Sequence, residues 1–229
     1  MTELNGAEYN AVLFDLDGTL IDTAPDMVAV LRALQQELGV DEIPYELARS
    51  NVSNGAFGLL SVGFPGLELE FGGELHAAFL ERYAENICRE SRVFDGLATL
   101  LDELEARRCP WGIVTNKPEH LTTALLNELG LAERSASTVC GDTLSVRKPD
   151  PAPMLLACDL AGVDPESCIY VGDAERDIEA GQRAGMATVA AGYGYICEDD
   201  DPREWDADVI ATTTEELRHI ILKAVNLEA

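Results

Sequence analysis

Short runs of continuous apolar residues punctuate the chain, each closed by a polar residue or a glycine. The first, Ala11–Phe14 (AVLF), runs straight into Asp15. Similar runs cover Trp111–Val114, residues 168–171, Ala187–Ala191 and residues 207–210, with a weaker one at 136–140. Runs this short, apolar on both faces, predict buried strands of a parallel sheet. Between them lie stretches with helical spacing of apolar positions, over residues 97–107, 119–129, 152–161, 174–184 and 214–225. Strands alternating with helices of that length predict βαβ units, joined by right-handed crossovers that put helices on both faces of one sheet. The expected fold class is therefore α/β.

The interval from about Thr23 to Arg92 breaks the alternation. It carries helical patterns at 25–38, 44–51 and 73–89 and no run that reads as a strand. Pro25 and Pro44 suit first-turn positions, Gly39 suits a helix C-terminus, and Gly63 to Gly66 and Gly72-Gly73 read as turns. About 70 helical residues inserted after the first strand read as a cap over a site. The expected division is a catalytic core of residues 1–22 and 92–229 with a cap of residues 23–91. The acidic run at 198–201 reads as a solvated loop.

Composition adds one unusual feature. The 229 residues are 47% hydrophobic and 25% charged, ordinary for a chain that buries a sizeable core. Yet 16 Lys and Arg face 42 Asp and Glu, for a net charge of −26, and the lysines are Lys117, Lys148 and Lys223 alone. A field of that sign repels nucleic acid and anionic membranes, so neither is an expected partner. It also slows a phosphorylated substrate, which then needs local positive charge at its site. Six cysteines without a C-x-x-C pair read as reduced, mostly buried thiols of a cytoplasmic protein. The first ten residues are polar, so no signal peptide is expected, and no run approaches ~18 apolar residues. A monomer or weak homodimer is the default expectation.

The chemistry follows from the residues that end the apolar runs, because ligands of parallel sheets sit at the carboxyl ends of strands. Asp15 and Asp17 follow the first run, Thr115 and Asn116 the second, and Gly172-Asp173 a third. Asp177 comes one turn later, and Lys148 precedes Pro149 at the start of another helix. Phosphoryl transfer needs a nucleophile, a metal that offsets charge and donors for the phosphate oxygens. Asp15 is a candidate nucleophile and Asp17 a candidate proton donor and acceptor. Asp15, Asp173 and the main-chain carbonyl of Asp17 are hard oxygen ligands suited to Mg²⁺. Thr115 and Lys148 are candidate phosphate donors, and Asp177 suits holding Lys148 and metal-bound water.

Gly18, Thr19 and Asn116 are further candidates beside the substrate, although Thr19 and Asp22 also suit roles in the turn and the hinge. Asn116 serves either the leaving-group side or the loop. Ser53 and the Asn54 to Gly58 stretch either face the site or form a plain loop or helix N-cap. His76 and Arg82 are expected on a solvated helix face, Tyr193 and Tyr195 either in packing or walling the pocket, with packing favoured, and Arg147 either at the surface or against an anion. Asp15 and Asp17 alone would also suit a turn, since Asp-Gly is a common turn pair.

The motifs resemble those of the haloacid dehalogenase superfamily of phosphatases. F-D-L-D-G-T-L-I-D-T from Phe14 is similar to its first motif, and V-T-N-K-P from Val114 to its second. Lys148-Pro149 resembles the third and V-G-D-A-E-R-D from Val171 the fourth, in the same order, with the insertion between the first two as in the helical-cap subgroup. The resemblance implies a Rossmann-like core with an all-helical cap, Mg²⁺, and the roles already named for Asp15, Asp17, Thr115, Lys148 and Asp173. Within the superfamily the chain resembles the phosphoglycolate phosphatase-like branch. V-F-D-G at 93–96, W-G-I-V-T-N-K-P from Trp111 and G-Y-G-Y-I from Gly192 are similar to bacterial N-acetylmuramic acid 6-phosphate phosphatases. The implied activity is hydrolysis of a small phosphorylated metabolite through an aspartyl-phosphate. Rival readings are a phosphomutase acting on sugar phosphates, which would call for basic cap residues to hold a second phosphate, and a non-catalytic phospho-acceptor or binding protein.

Overall fold

The structure, a computed structural model, describes Leu4 and residues 9–225; the outer parts of the expected core boundaries, residues 1–3, 5–8 and 226–229, lie outside the described residues. Its strands are β1 (Ala11–Phe14), β2 (Ile21–Asp22), β3 (Arg92–Val93), β4 (Trp111–Val114), β5 (Ser137–Val139), β6 (Cys168–Gly172), β7 (Ala187–Ala191) and β8 (Val209–Ala211). Its helices are α1 (Ala24–Leu38), α2 (Tyr45–Ser50), α3 (Gly55–Gly63), α4 (Glu74–Glu85), α5 (Leu97–Ala106), α6 (Glu119–Glu128), α7 (Ala152–Ala161), α8 (Glu175–Ala184) and α9 (Thr214–Ala224).

Among the described residues the main sheet has the order β5-β4-β1-β6-β7-β8, and every neighbouring pair is parallel. All four residues of β1 and all four of β4 are buried, as runs apolar on both faces require. One face packs Leu100 and Leu104 of α5, Leu125 of α6 and Leu217 and Ile221 of α9 against Val12, Phe14 and Ile113. The other packs Met154 and Ala157 of α7 and Ala180 of α8 against Ala11, Leu13 and Tyr170. The α/β Rossmann-like core is thus as expected. Strand order turns around β1, where the chain first builds outward to β4 and β5 and then returns to β6 on the other side. The crevice at the carboxyl ends of these strands is where such a sheet binds ligands.

Two features differ from the sequence expectation. Ile21–Asp22 and Arg92–Val93 pair antiparallel as a two-stranded ribbon, with Ile21 opposite Val93 and Asp22 opposite Arg92. Two-residue strands are too short to leave a periodic signal, yet this ribbon ties together the chain entering and leaving the helical segment. The second difference is α3, preceded by a 3-10 turn at Val52–Asn54, in an interval where no helical pattern is read from the sequence. Smaller shifts move β8 from 207–210 to Val209–Ala211 and start α1 at Ala24.

Helices α1 to α4 bury their own apolar cluster, built on Met27, Leu31, Leu34, Leu59, Leu60, Phe79 and Tyr83. Gln35 is buried in α1 and its Nε2 donates to the Gly63 carbonyl at 2.8 Å, stitching α1 to the end of α3. Gly39 closes α1 in the left-handed region, as its position predicts. Asp26 fastens the base of the segment: its carboxylate accepts from the Glu90 and Ser91 amides at 2.9 Å each and from the Ser91 hydroxyl at 2.6 Å. Those amides have no other acceptor nearby, so Asp26→Ala is expected to cost about 3 kcal/mol of unfolding free energy. Urea denaturation checks this, and Asp26→Asn, which retains one acceptor oxygen, should cost roughly half as much.

Candidate active site

The sharp turn after β1 directs two carboxylates toward the crevice. Asp15 sits at the strand end, its amide donating to the Val171 carbonyl at 2.8 Å, and Asp17 lies just past it in the turn closed by Gly18. Thr115 and Asn116 follow β4, Asp173 follows β6, and Lys148 leads toward α7. The carboxylate oxygens of Asp15, Asp173 and Asp177 all lie within 4.8 Å of one another, and all three residues are buried.

Lys148 is the centre of this group. Its Nζ lies 2.8 Å from Asp15 Oδ1 and 2.7 Å from Asp177 Oδ1, and it donates to the Val114 carbonyl at 2.8 Å and to the Tyr170 hydroxyl at 2.9 Å. Burial works against the lysine's charge, but Asp15 and Asp177 together outweigh it and raise its pKa. Asn116 holds the lysine's backbone from both ends of its amide, with Nδ2 donating to the Lys148 carbonyl and Oδ1 accepting from its amide, each at 3.1 Å. Both ends are engaged, so of the two roles expected for Asn116 the geometry carries the support of the loop. Asp177 is fully buried, and its second oxygen accepts the Ala174 amide at 3.1 Å.

Asp173 is the carboxylate tied to the helical segment. Its Oδ2 accepts from the Ser53 hydroxyl at 2.6 Å and from the Tyr195 amide at 2.9 Å, and its Oδ1 accepts from the Thr19 hydroxyl at 3.3 Å. Gly18, with φ of +83°, and Gly194 pack against this side chain: a Cβ at Gly18 would fall 2.1 Å from Asp173 Oδ2, and one at Gly194 would fall 2.4 Å from Asp173 Cβ. Gly18 and Thr19, expected beside the substrate, are therefore found supporting Asp173, away from the cavity wall. Tyr193 and Tyr195, expected to pack or to wall the pocket, make hydroxyl contacts to the chain around the base of the helical segment. The Tyr195 hydroxyl donates to Asp22 Oδ1 at 2.7 Å and accepts from the Ala24 amide at 2.9 Å, while the Tyr193 hydroxyl donates to the Thr19 carbonyl at 2.8 Å.

Three residues escaped the sequence reading. Lys117, in the T-N-K-P motif, is buried; its Nζ donates to Asp17 Oδ1 at 2.9 Å and to the Tyr83 hydroxyl of α4 at 3.2 Å. Its place in a motif where each neighbour had a role was the available signal. Arg176, between Asp173 and Asp177 in the fourth motif, donates to the Ser53 carbonyl and approaches Asn54 Oδ1 at 3.5 Å. His76, expected on a solvated face, is buried because Phe57 and Phe71 close around its ring at 6.2 and 4.9 Å. Arg82 does lie outward, paired with Glu37 at 2.5 Å.

Asp15, Asp17, Thr115, Asn116, Lys117 and Lys148 border a cavity of about 460 Å³, closed on its other side by side chains of α1, α3 and α4. The Thr115 hydroxyl accepts from the Lys117 amide at 3.1 Å, so its own proton is available to a ligand in the cavity. The three clustered acids outnumber Lys148, and their hard, closely spaced oxygens fit a divalent cation of the oxygen-seeking kind. Within the cluster Asp177 holds Lys148 and the Ala174 amide with its two oxygens, whereas Asp173 has hydrogen-bond donors but no cation partner among the described residues.

The crowding of buried acids also bears on their protonation. Burial, partly offset by Lys148, pushes Asp15 up to about 6; burial and then the charges of Asp15 and Asp177 push Asp173 up to about 7. Raised folded-state values mean that the native protein holds more protons than the unfolded chain between pH 4 and 7. Stability from these groups is therefore full below pH 4 and lost as pH rises through 6 to 7. In chelator, Asp173→Asn should flatten the fall in urea midpoint between pH 5 and pH 8 relative to wild type.

Comparison with known proteins agrees with this arrangement. Residues 9–185 match the family model of haloacid dehalogenase-like hydrolases. The chain is 43% identical over 217 residues to the N-acetylmuramic acid 6-phosphate phosphatase of Pseudomonas putida, covering 94% of this chain and 97% of that one. It is 48% identical over 200 residues to a phosphoglycolate phosphatase of Xanthomonas campestris, covering 87% and 90%. The crystal structure of a predicted phosphoglycolate phosphatase from Haemophilus somnus superposes with a TM-score of 0.78 at 27% identity, over 90% of this chain and 95% of that one. Motif order, sheet topology and family match agree, and this chain belongs to the haloacid dehalogenase-like hydrolases.

Proposed function

We propose that the protein is a Mg²⁺-dependent phosphatase that hydrolyses a small phosphorylated metabolite through an aspartyl-phosphate on Asp15, with residues 23–91 acting as the cap over the site. The observation that carries this reading is the convergence of Asp15, Asp17, Thr115 and Lys148 on one cavity. Family membership and the phosphatase names of the relatives support it.

In the first step the Asp15 carboxylate attacks phosphorus, and the ester P–O bond breaks. Asp17 protonates the departing alkoxide. Lys117 and Thr23 both engage Asp17 through Oδ1, at 2.9 and 2.6 Å, which leaves Oδ2 for proton traffic. In the second step Asp17 takes a proton from water, and the water oxygen attacks phosphorus. The acyl-phosphate bond breaks, restoring the Asp15 carboxylate and releasing inorganic phosphate.

Thr115 and Lys148 donate to the equatorial phosphate oxygens and offset their growing charge. Asp15 and Asp173, with the Asp17 carbonyl, would hold Mg²⁺, which supplies a charge clamp for the phosphate when bound. The helical side of the cavity offers no Arg or Lys among the described residues, only His76 as a titratable base. A mutase would need cationic cap residues for a second phosphate, so hydrolysis is the better reading.

Asp15→Asn should lower kcat by more than about 10⁴-fold with any ester, because the amide cannot form the acyl phosphate. Phosphate release in Mg²⁺ and in EDTA checks this, and acid-quenched enzyme should carry label from a ³²P-ester in wild type only. Metal binding must displace protons from Asp15 and Asp173, raised to about 6 and 7. The thermal stabilisation given by a fixed Mg²⁺ concentration is therefore expected to grow from pH 5.5 to pH 8.

A further inference from the structure

The turn between α2 and α3 is held to the sheet at Asp173, the acid of the buried cluster that has no cation partner among the described residues. Ser53, in the 3-10 turn at Val52–Asn54, is fixed there by both of its polar groups. Its hydroxyl donates to Asp173 Oδ2 at 2.6 Å, and its carbonyl accepts from the Arg176 guanidinium, further along the same motif. Asn54 Oδ1 adds a longer contact to Arg176, at 3.5 Å. A hydroxyl has one proton to donate, and Ser53 gives it to the carboxylate.

The two oxygens of Asp173 are not equivalent. Oδ2 accepts from Ser53 and from the Tyr195 amide at 2.9 Å, which fills both acceptor positions of a carboxylate oxygen. It is also walled in, since a Cβ at Gly18 would fall 2.1 Å from it and one at Gly194 2.7 Å. Oδ1 accepts from the Thr19 hydroxyl alone among the described residues, at 3.3 Å, a long bond that leaves an acceptor position open. A hard cation shared with Asp15 therefore takes Oδ1, and the donors on Oδ2 set where Oδ1 points. Thr19 and Tyr195 belong to loops of the core, after β1 and β7. Ser53 is the donor that comes from the helical segment.

We infer that Ser53 is a positioning residue of the cation site, and that through it cation binding and docking of the α2–α3 turn favour one another. A carboxylate already held at Oδ2 has lost its torsional freedom before the cation arrives, so binding costs less entropy. By reciprocity, a cation that fixes Oδ1 leaves Oδ2 aimed at the turn, and the Ser53 contact gains by the same factor. Val52, Asn54, Ala56 and Phe57 around Ser53 border the cavity, so the cation sets how firmly that side is held. This inference rests on the Mg²⁺ part of the proposed function and is independent of which ester is hydrolysed.

The test is metal binding by the full chain without substrate. Mn²⁺ takes the same oxygen ligands as Mg²⁺, and its free ion is counted by electron paramagnetic resonance. Ser53→Ala should weaken Mn²⁺ binding about tenfold, with the Mg²⁺ concentration needed for competition raised equally. Ser53→Thr keeps the hydroxyl and should stay within about threefold of wild type. Ser61→Ala, at an exposed position of α3 whose hydroxyl donates to the Phe57 carbonyl, should leave binding unchanged. In hydrogen–deuterium exchange, Mg²⁺ should slow the segment 52–58 by about threefold or more in wild type and not in Ser53→Ala. Affinities of Ser53→Ala and wild type within about twofold would overturn the role of Ser53. Tighter binding by Ser53→Ala, as expected if the hydroxyl competed with the cation, would overturn it as well. Wild-type protein that binds neither ion would overturn the linkage together with the Mg²⁺ reading. Metal-dependent phosphate release by wild type, with normal Mn²⁺ binding by Ser53→Ala, would remove the linkage and leave the phosphatase reading standing.

Discussion

A single buried ammonium makes the rest of the site possible. Asp15 and Asp177 are out of water, and an unpaired carboxylate there would be driven to its neutral form. Lys148 sits between them at 2.8 and 2.7 Å, with the Val114 carbonyl and the Tyr170 hydroxyl also within reach of its Nζ, so the charges are paired. The lysine is fixed in turn by the two-way clamp of Asn116 on its backbone. This pairing holds one acid as a nucleophile at the strand end and leaves a second cluster member, Asp173, without a cation of its own. Burial and the neighbouring acids accordingly hold Asp173 above the usual carboxylate range, and a cation bound beside it would relieve that repulsion.

Asp173 is also where the sheet and the helical segment meet. Its contacts reach Ser53 in the turn before α3, Thr19 after β1, and Tyr195, whose hydroxyl holds Asp22 and the first amide of α1. The close approach depends on Gly18 and Gly194, since any side chain there would occupy the space of the carboxylate. Lys117 makes a parallel bridge from Asp17 to Tyr83 on α4. The two acids flanking the cavity floor are thus each coupled to the helices above. Movement of those helices and the geometry of Asp17 and Asp173 are not independent of one another.

Much of this was legible in the sequence, for a local reason. Asp15, Asp17, Thr115 and Asp173 each close an apolar run, so finding the strand finds the residue, and the parallel sheet does the gathering. Tyr195 and Lys117 were not legible in that way. The first acts on Asp22 from 173 residues away and the second meets a helix 34 residues earlier in the chain, and neither partner leaves a mark near it. Helix α3 was obscured by Gly55, Gly58 and Gly63, although Ala56, Leu59 and Leu60 carry helical spacing and are buried. His76 was misplaced because a helix face was judged without Phe71, which comes from the preceding turn and closes over it.

The charge of −26 looks at first like an obstacle to binding a phosphate ester. The distribution of cations removes the difficulty. Two of the three lysines, Lys117 and Lys148, are buried at the cavity, and Arg147 and Arg176 line it as well. In the low-dielectric crevice a fixed cation acts far more strongly than exposed acids screened by water and salt, whose reach is about a Debye length of ~10 Å. Most of the other described arginines that form ion pairs do so at the surface, as Arg82 does with Glu37 and Arg134 with Asp102 and Glu105. Surface acids therefore pair with surface arginines, while the buried lysines of the site are set against its own carboxylates, Asp15, Asp17 and Asp177, at short range.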